Sequence, residues 1–196
     1  MQNRVVGFSA RVLGTEKVAK YINTPQTPIY NKSFAIYGLA QAKEAIRKSD
    51  KVIVVEGNMD VLALHNAGFE NVVACSGTAL TDLQISQLSR LSKNIVLCFD
   101  ADEAGISATF RAIDLAGSSE AKVEVVSLNG AKDPDELLKK GKDIWIKAMK
   151  SAKYAPDFVI HYGKQKYDTN TAPGKKQFTR FIMPMLRNMT DEAGAD

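Results

Sequence analysis

Six acidic residues occur as three pairs, and each pair follows the end of an apolar run by a few positions. The pairs are Glu56 and Asp60, Asp100 and Asp102, and Asp133 and Asp135. Carboxylates crowded into a partly desolvated cleft repel one another strongly, so they need a counter-charge. Divalent cations with oxygen ligands supply that charge. The pattern therefore indicates a Mg²⁺ site and metal-dependent phosphoryl transfer.

A parallel sheet is the element that would bring these acids together. Short β-branched runs predict strands near residues 51–55, 71–75, 94–99 and 122–128, and the intervening stretches predict helices near 59–67, 81–92 and 104–116. Strands that alternate with helices form parallel sheets with right-handed crossovers. Ligands of such sheets lie beyond the carboxyl ends of the strands, so we expect the acids to share one rim.

The segments that flank the predicted sheet differ from it in charge. Residues 1–50 carry 8 basic and 3 acidic side chains, residues 51–136 carry 6 and 13, and residues 137–196 carry 12 and 6. An acidic centre between basic flanks is expected of an enzyme that holds a polyanion near bound metal, although solvated basic helices give the same composition. Charge alone therefore leaves both interpretations open.

The pattern along the chain predicts three parts. Residues 1–49 form a basic part with a strand near 4–13 and an amphipathic helix at 39–48, and residues 50–133 form the metal-binding part. Residues 134–196 form a helical subdomain that ends in a helix near 175–189. The chain contains no apolar run of about 20 residues and no signal peptide pattern, which predicts a cytoplasmic protein without membrane contact.

Three smaller features have weaker chemical interpretations. Cys75 and Cys98 lie in or beside apolar runs and predict buried thiols, not a zinc site. The segment Ser76, Gly77 and Thr78 follows the second strand and is compatible with phosphate binding at a helix start or with an ordinary turn. No Gly-rich nucleotide-binding motif is present.

Seven motifs together resemble the RNA polymerase core of bacterial DNA primases, which contains a Toprim domain. In chain order they are Gly7-Phe-Ser-Ala-Arg11-Val-Leu, Lys20-Tyr-Ile-Asn-Thr-Pro-Gln-Thr-Pro-Ile-Tyr-Asn-Lys32, Tyr37-Gly-Leu, Val55-Glu-Gly-Asn-Met-Asp60-Val, Ser76-Gly-Thr-Ala-Leu-Thr, Leu97-Cys-Phe-Asp-Ala-Asp-Glu-Ala-Gly105 and Lys132-Asp-Pro-Asp-Glu-Leu-Leu138. The resemblance implies an α/β fold: a Toprim-type parallel sheet with flanking helices, preceded by part of an α+β primase-core subdomain and followed by a helical subdomain. Two positions depart from the family pattern, because Asn58 replaces an aromatic residue and Ala101 replaces glycine.

The resemblance also implies roles for the acidic and basic residues. Glu56, Asp100 and Asp102 would be catalytic metal ligands. The other three acids, Asp60, Asp133 and Asp135, would complete the metal-binding set. A basic ridge for the template strand and nucleotide phosphates would consist of Arg11, Lys20, Asn23 and Lys32.

The activity implied is synthesis of short RNA primers from NTPs on a single-stranded DNA template, with Mg²⁺ or Mn²⁺. We expect the chain to lack the zinc-binding domain, the first half of the core and the domain that binds the replicative helicase. It is therefore expected to be weakly active or inactive alone, with zinc confined to the missing domain. Two alternatives remain: another Toprim enzyme, such as a topoisomerase or nuclease, and a non-catalytic module that binds nucleic acid or nucleotide.

Overall fold

A computed structural model describes residues 4–12, 21–76, 79–117 and 119–190 of the chain. Its first elements are two short strands, β1 (Ser9–Arg11) and β2 (Tyr21–Asn23), which pair in antiparallel fashion. Thr24 joins the ends of this pair, because its backbone N–H donates to the carbonyl of Phe8 at 2.9 Å. The strand predicted over 4–13 is thus shorter than expected.

Eight helices are described. They are α1 (Leu39–Ser49), α2 (Asn58–Asn66), α3 (Asp82–Ser89), α4 (Glu103–Ala116), α5 (Pro134–Lys140), α6 (Lys142–Lys150), α7 (Ala155–Lys166) and α8 (Ala172–Thr190). The predicted helices at 39–48, 59–67, 81–92, 104–116 and 175–189 correspond to α1, α2, α3, α4 and α8. Their bounds differ from the predicted ones by up to three residues at the ends, where helix assignment varies. The side chains of Thr81 and Asp102 cap the first turns of α3 and α4.

A second sheet contains the predicted parallel strands. They are β3 (Val52–Val55), β4 (Val72–Ala74), β5 (Asn94–Leu97) and β6 (Lys122–Val125). Their order is β4-β3-β5-β6, and all neighbouring pairs are parallel. This arrangement confirms the predicted parallel sheet.

A fifth strand, β7 (Lys153–Tyr154), pairs with β6 in antiparallel fashion and makes the sheet mixed. The sequence prediction did not include it. A two-residue strand has too few positions to show an alternating pattern, and its existence depends on β6, about 30 positions earlier in the chain.

The core has two layers, one on each face of the sheet. Val52 and Val54 of β3 pack with residues of α1, α3, α4 and α7, whereas Ile53 and Val55 pack with residues of α2 and α6. Trp145 of α6 is fully buried in the second layer. Alternating strand residues therefore bury both faces, as a parallel sheet between helices requires.

Both cysteines are buried free thiols, which confirms the prediction for Cys75 and Cys98. Burial raises the pKa of Cys75 to about 12 and also raises that of Cys98, so both remain neutral thiols near neutral pH. In the described part of the chain, the helices are too short or too polar to cross a bilayer.

Candidate active site

Glu56 and Asp100 meet because their strands are parallel neighbours. Glu56 directly follows β3, and Asp100 lies three positions after β5, whose residue Leu97 is in register with Val54. The backbone N–H of Asp100 donates to Oε1 of Glu56 at 3.2 Å. Two of the predicted metal ligands are thus brought together at the carboxyl end of the sheet.

Asp60 and Asp135 connect α2 to α5 on the same rim. Asp60 lies in the first turn of α2 and is buried, and its Oδ1 accepts a hydrogen bond from the backbone N–H of Asp135 at 3.2 Å. Asp133 is the N-cap of α5 and accepts from the backbone N–H of Glu136 at 2.7 Å. The third acidic pair therefore lies beside the first pair.

Asp102 has a different local role. Its Oδ1 accepts from the backbone N–H of Gly105 at 2.8 Å and caps α4. The side chain is exposed and lies outside the lining of the cleft that contains the other five acids. A carboxylate in the first turn is also favoured by the helix dipole, so this position stabilises α4 whether or not a metal is bound.

The acids form one wall of a cleft of about 450 Å³. Another part of the lining, which we call the basic wall, comes from the β1–β2 pair and includes Arg11 and Asn23. Lys32 lies elsewhere, on an exposed surface outside the cleft lining. Ser76 lines the cleft, whereas Lys20, Gly77 and Thr78 lie outside the described residues. The structure thus places two of the predicted basic-ridge residues in the same cleft as five of the acids.

Burial and mutual repulsion make the acidic wall hard to ionise. The pKa of Asp100 is raised to about 7, chiefly by burial and then by the charge of Glu56. Burial likewise raises the pKa of Asp60 to about 6, and the charges of Asp133 and Asp135 add to that effect. The pKa of Glu56 is also raised, mainly by burial. A nearby cation would reverse these shifts.

One oxygen of this wall has no partner. Oδ1 of Asp100 is buried and receives no hydrogen bond from any residue that the structure describes. A buried carboxylate oxygen without a donor costs free energy, so it fits a site that accepts a cation. Within the same described residues, however, no three acidic, histidine or cysteine side chains are arranged as a ready-made metal cluster. Backbone amides each occupy one oxygen of Glu56, Asp60 and Asp102.

Gly105 is required for the close approach of α4 to the acidic wall. A Cβ atom at this position would lie 2.1 Å from the carbonyl oxygen of Asp100 and 2.8 Å from Oε1 of Glu56. The clash with backbone cannot be relieved by rotating a side chain. Any larger residue would therefore displace the loop that carries Asp100.

Asn58 occupies the position where the family pattern has an aromatic residue. It is buried at the start of α2, and its Oδ1 accepts a hydrogen bond from the Ser76 hydroxyl at 2.7 Å. Ser76 has a left-handed backbone, with φ of 58°. The polar pair ties the loop after β4 to the start of α2, where a larger ring would take the place of this hydrogen bond.

A set of contacts from α3, which we call the α3 clamp, was missed by the sequence prediction. Three side chains of this clamp, Thr81, Gln84 and Gln87, donate to the four consecutive carbonyls of residues 32–35, at 2.6 to 3.5 Å. Thr81 and Gln84 also form a reciprocal capping box. The Thr-x-x-Gln spacing could have revealed the box, but nothing local identifies its distant acceptors. The clamp attaches the basic part to the sheet.

Three family models match successive parts of the chain. A DNA primase catalytic core N-terminal domain matches residues 1–43, a Toprim-like domain matches 53–138, and a DnaB-helicase binding domain of primase matches 156–193. The match at 156–193 contradicts the expectation that the chain lacks any helicase-binding segment. Amphipathic helices such as α7 and α8 have no residue pattern that distinguishes this domain from other helical subdomains.

Relatives and solved structures agree with these matches. The DNA primases of Synechocystis and Deinococcus radiodurans are each 36% identical to this chain, over 98% and 95% of its length. Among solved structures, the Aquifex aeolicus primase with zinc binding and RNA polymerase domains superposes with a TM-score of 0.83 at 34% identity, covering 97% of this chain and 45% of that one. A Pseudomonas aeruginosa DNA primase domain gives the same score and identity, covering 95% and 59%.

The mixed sheet and its acidic rim define a Toprim domain. The primase-specific matches on either side narrow the class, and the chain belongs to the bacterial DNA primases. It spans about a third of the length of the curated relatives, 32% for Synechocystis and 33% for Deinococcus.

Proposed function

We propose that this chain forms the metal-binding part of a cytoplasmic RNA polymerase core that synthesises short RNA primers on single-stranded DNA. The observation that carries the proposal is the cleft, whose lining combines Glu56, Asp60 and Asp100 with Arg11 and Asn23. One wall suits divalent cations, and the other suits phosphates. A nucleotidyl transferase requires metal-binding acids and basic side chains within a few Å of each other, because bound metal ions and protein cations act on the same phosphoryl group.

Glu56, Asp100 and Asp102 would hold the catalytic metal, with Asp60, Asp133 and Asp135 as further ligands. Toprim-type primases depend on a divalent metal, generally Mg²⁺, and Mn²⁺ would fit the same oxygen ligands. When bound, the ion would activate the primer 3′-hydroxyl and neutralise charge on the α-phosphate and the departing pyrophosphate. The protein's own residues orient the reactants, and the mechanism needs no covalent nucleophile.

The basic wall would position phosphates of the template and of the incoming NTP. The catalytic domain of a DnaG primase bound to ssDNA superposes on this chain with a TM-score of 0.81 at 32% identity. That likeness supports single-stranded DNA as a partner here, together with NTPs and the RNA primer. The match at 156–193 supports contact with a replicative helicase through α7 and α8. The division into 1–49, 50–133 and 134–196 remains a proposal.

Template-directed synthesis tests this function. The purified chain is incubated with a single-stranded template, labelled NTPs and Mg²⁺, and dinucleotides and longer products are separated on a gel. Products that depend on template and metal, and that disappear in Glu56→Gln, would support the proposal. Relaxation of supercoiled DNA or cleavage of the template would instead indicate another Toprim activity. Because the chain is expected to be weakly active or inactive alone, the assay is repeated with the first half of a primase core joined upstream. Binding of DNA and NTP without any product in that longer protein would indicate a binding module.

A further inference from the structure

Two lysines from the segment that carries Asp133 and Asp135 also line the cleft, Lys132 and Lys139. Lys139 lies in the last turn of α5 and lines the cleft that also contains Arg11 of β1. Lys139 and Arg11 come from separate parts of the chain but line one cleft. The hydrogen bond to Asp135 raises the pKa of Lys139, so the ammonium stays charged.

The contacts of Lys139 leave its charge available to a ligand. Its Nζ lies 2.5 Å from Oδ2 of Asp135, one helical turn earlier, and 72% of its side chain is exposed. The backbone N–H of Asp135 bonds to Asp60, so this ion pair stands directly beside the buried acids. A divalent cation that engages Asp135 would compete with the ammonium for the same carboxylate. The long side chain could then turn to another anion without any backbone movement.

Lys140, the next residue, provides a contrast within one helix. Its Nζ pairs with Glu136 at 3.7 Å and also donates to the carbonyl of Gly130. It lies outside the cleft lining. The two neighbouring lysines thus have the same charge and the same helix but face different surroundings.

We propose that Lys139 binds the phosphate oxygens of the incoming nucleoside triphosphate together with Arg11. Both cations line the cleft, and a polyphosphate chain carries enough charge and length to bind both. Lys139 would thereby bind phosphate as Arg11 does, although it lies on α5 beside Asp135 of the acidic wall. This inference rests on the proposed nucleotidyl transferase function, which supplies the triphosphate.

The test compares three ligands by calorimetry: Mn²⁺ alone, inorganic tripolyphosphate with Mn²⁺, and GTP with Mn²⁺. Lys139→Met should weaken binding of tripolyphosphate and GTP by about tenfold, because one charge-assisted hydrogen bond is lost. Its affinity for Mn²⁺ alone should stay equal or rise, since Asp135 loses a competing cation. Lys139→Arg should retain most of the phosphate affinity, and Lys140→Met should behave like the wild type in all three titrations.

Several outcomes would overturn the inference. If Lys139→Met and Lys139→Gln bind tripolyphosphate as the wild type does, Lys139 only neutralises Asp135. If Lys140→Met weakens phosphate binding equally, the effect is general surface charge and not a site. If the wild type binds Mn²⁺ but neither phosphate ligand, the proposed function itself fails at nucleotide binding. Urea unfolding curves for each variant establish that the proteins compared are folded.

Discussion

The two walls of the cleft are held in place in very different ways. The acidic wall follows β3 and β5, central strands of a sheet whose helices cover both faces, and all four residues of β3 are buried. The basic wall rests on β1 and β2, three residues each, with all of β1 exposed. Core packing thus fixes the carboxylates, whereas a few hydrogen bonds position Arg11 and Asn23. Under the proposed function, such a division would keep the metal ligands rigid and leave the phosphate-binding residues adjustable.

The largest expected effect tests whether the acidic wall serves catalysis and the basic wall serves substrate binding. Glu56→Gln should lower kcat of templated synthesis by about 10³-fold or more, because metal-based stabilisation of transition-state charge contributes several kcal/mol. Arg11→Met should mainly raise KM for NTPs, by about tenfold, since it weakens phosphate binding. Steady-state kinetics with labelled NTPs would measure both. Equal losses of kcat in the two variants would contradict the division.

Substitutions behind the acidic wall should lower the stability of the protein far more than substitutions in the β1–β2 pair. Leu97 of β5 is 1% exposed, and Leu97→Ala should lower the free energy of unfolding by about 2–5 kcal/mol, through lost burial and the cavity left behind. Ile22 of β2 is 60% exposed, and Ile22→Ala should change it by no more than about 0.5 kcal/mol. Urea denaturation would give both values. A large loss in Ile22→Ala would show that the β1–β2 pair belongs to the cooperative core.

The α3 clamp offers a way to loosen one wall alone. Gln84 is fully buried, and Gln84→Leu would leave the carbonyl of Ala35 without its 2.7 Å donor, at a cost of about 1–3 kcal/mol. Exposed Gln41 provides a control, since Gln41→Leu should have little effect. Hydrogen exchange should accelerate in the amides near residues 32–36, while the affinity for Mn²⁺ should not change. Weakened Mn²⁺ binding would show that the clamp also supports the acids.

A further predicted effect, confined to metal-free protein, is a dependence of stability on pH. Asp100 has a pKa of about 7 in the folded state and an ordinary value of 3.8, so the folded state binds its proton more tightly than the unfolded chain does. Its contribution to stability is therefore greatest below pH 3.8 and is lost as the pH rises toward 7. Asp100→Asn removes this loss, so its stability relative to wild type should increase between pH 4 and 7. Unfolding curves in EDTA would measure the difference.

Metal binding should show the opposite trend with pH. Because Asp60 and Asp100 have pKa values of about 6 and 7, a bound ion must displace protons at lower pH. Below pH 6, each proton that Mn²⁺ must displace should lower its affinity by about tenfold for every unit of pH. Calorimetry in buffers with different ionisation enthalpies would count the protons released. An affinity that is independent of pH between 5 and 7 would exclude both residues as ligands.

Sequence patterns predicted the features that depend on local periodicity. The strands before Glu56 and Asp100 are continuous apolar runs, and their parallel order determines that the following acids share a rim. The position of Asp102 was less predictable, because a carboxylate at the start of a helix is equally suited to capping and to metal binding. Neither β7 nor the α3 clamp has a local signature. Both depend on partners that are distant in sequence, so only the folded structure shows them.

The α3 clamp has a consequence for how this protein can diverge. All four of its acceptors are main-chain carbonyls, which every amino acid supplies, so replacements at Ser33, Phe34 or Ala35 leave the acceptors in place. The donors, by contrast, are particular side chains of α3, 48 to 53 positions further along the chain. Sequence conservation that maintains the path of residues 32–35 is therefore expected in the clamp side chains of α3. The amino acids at 32–35 themselves can change.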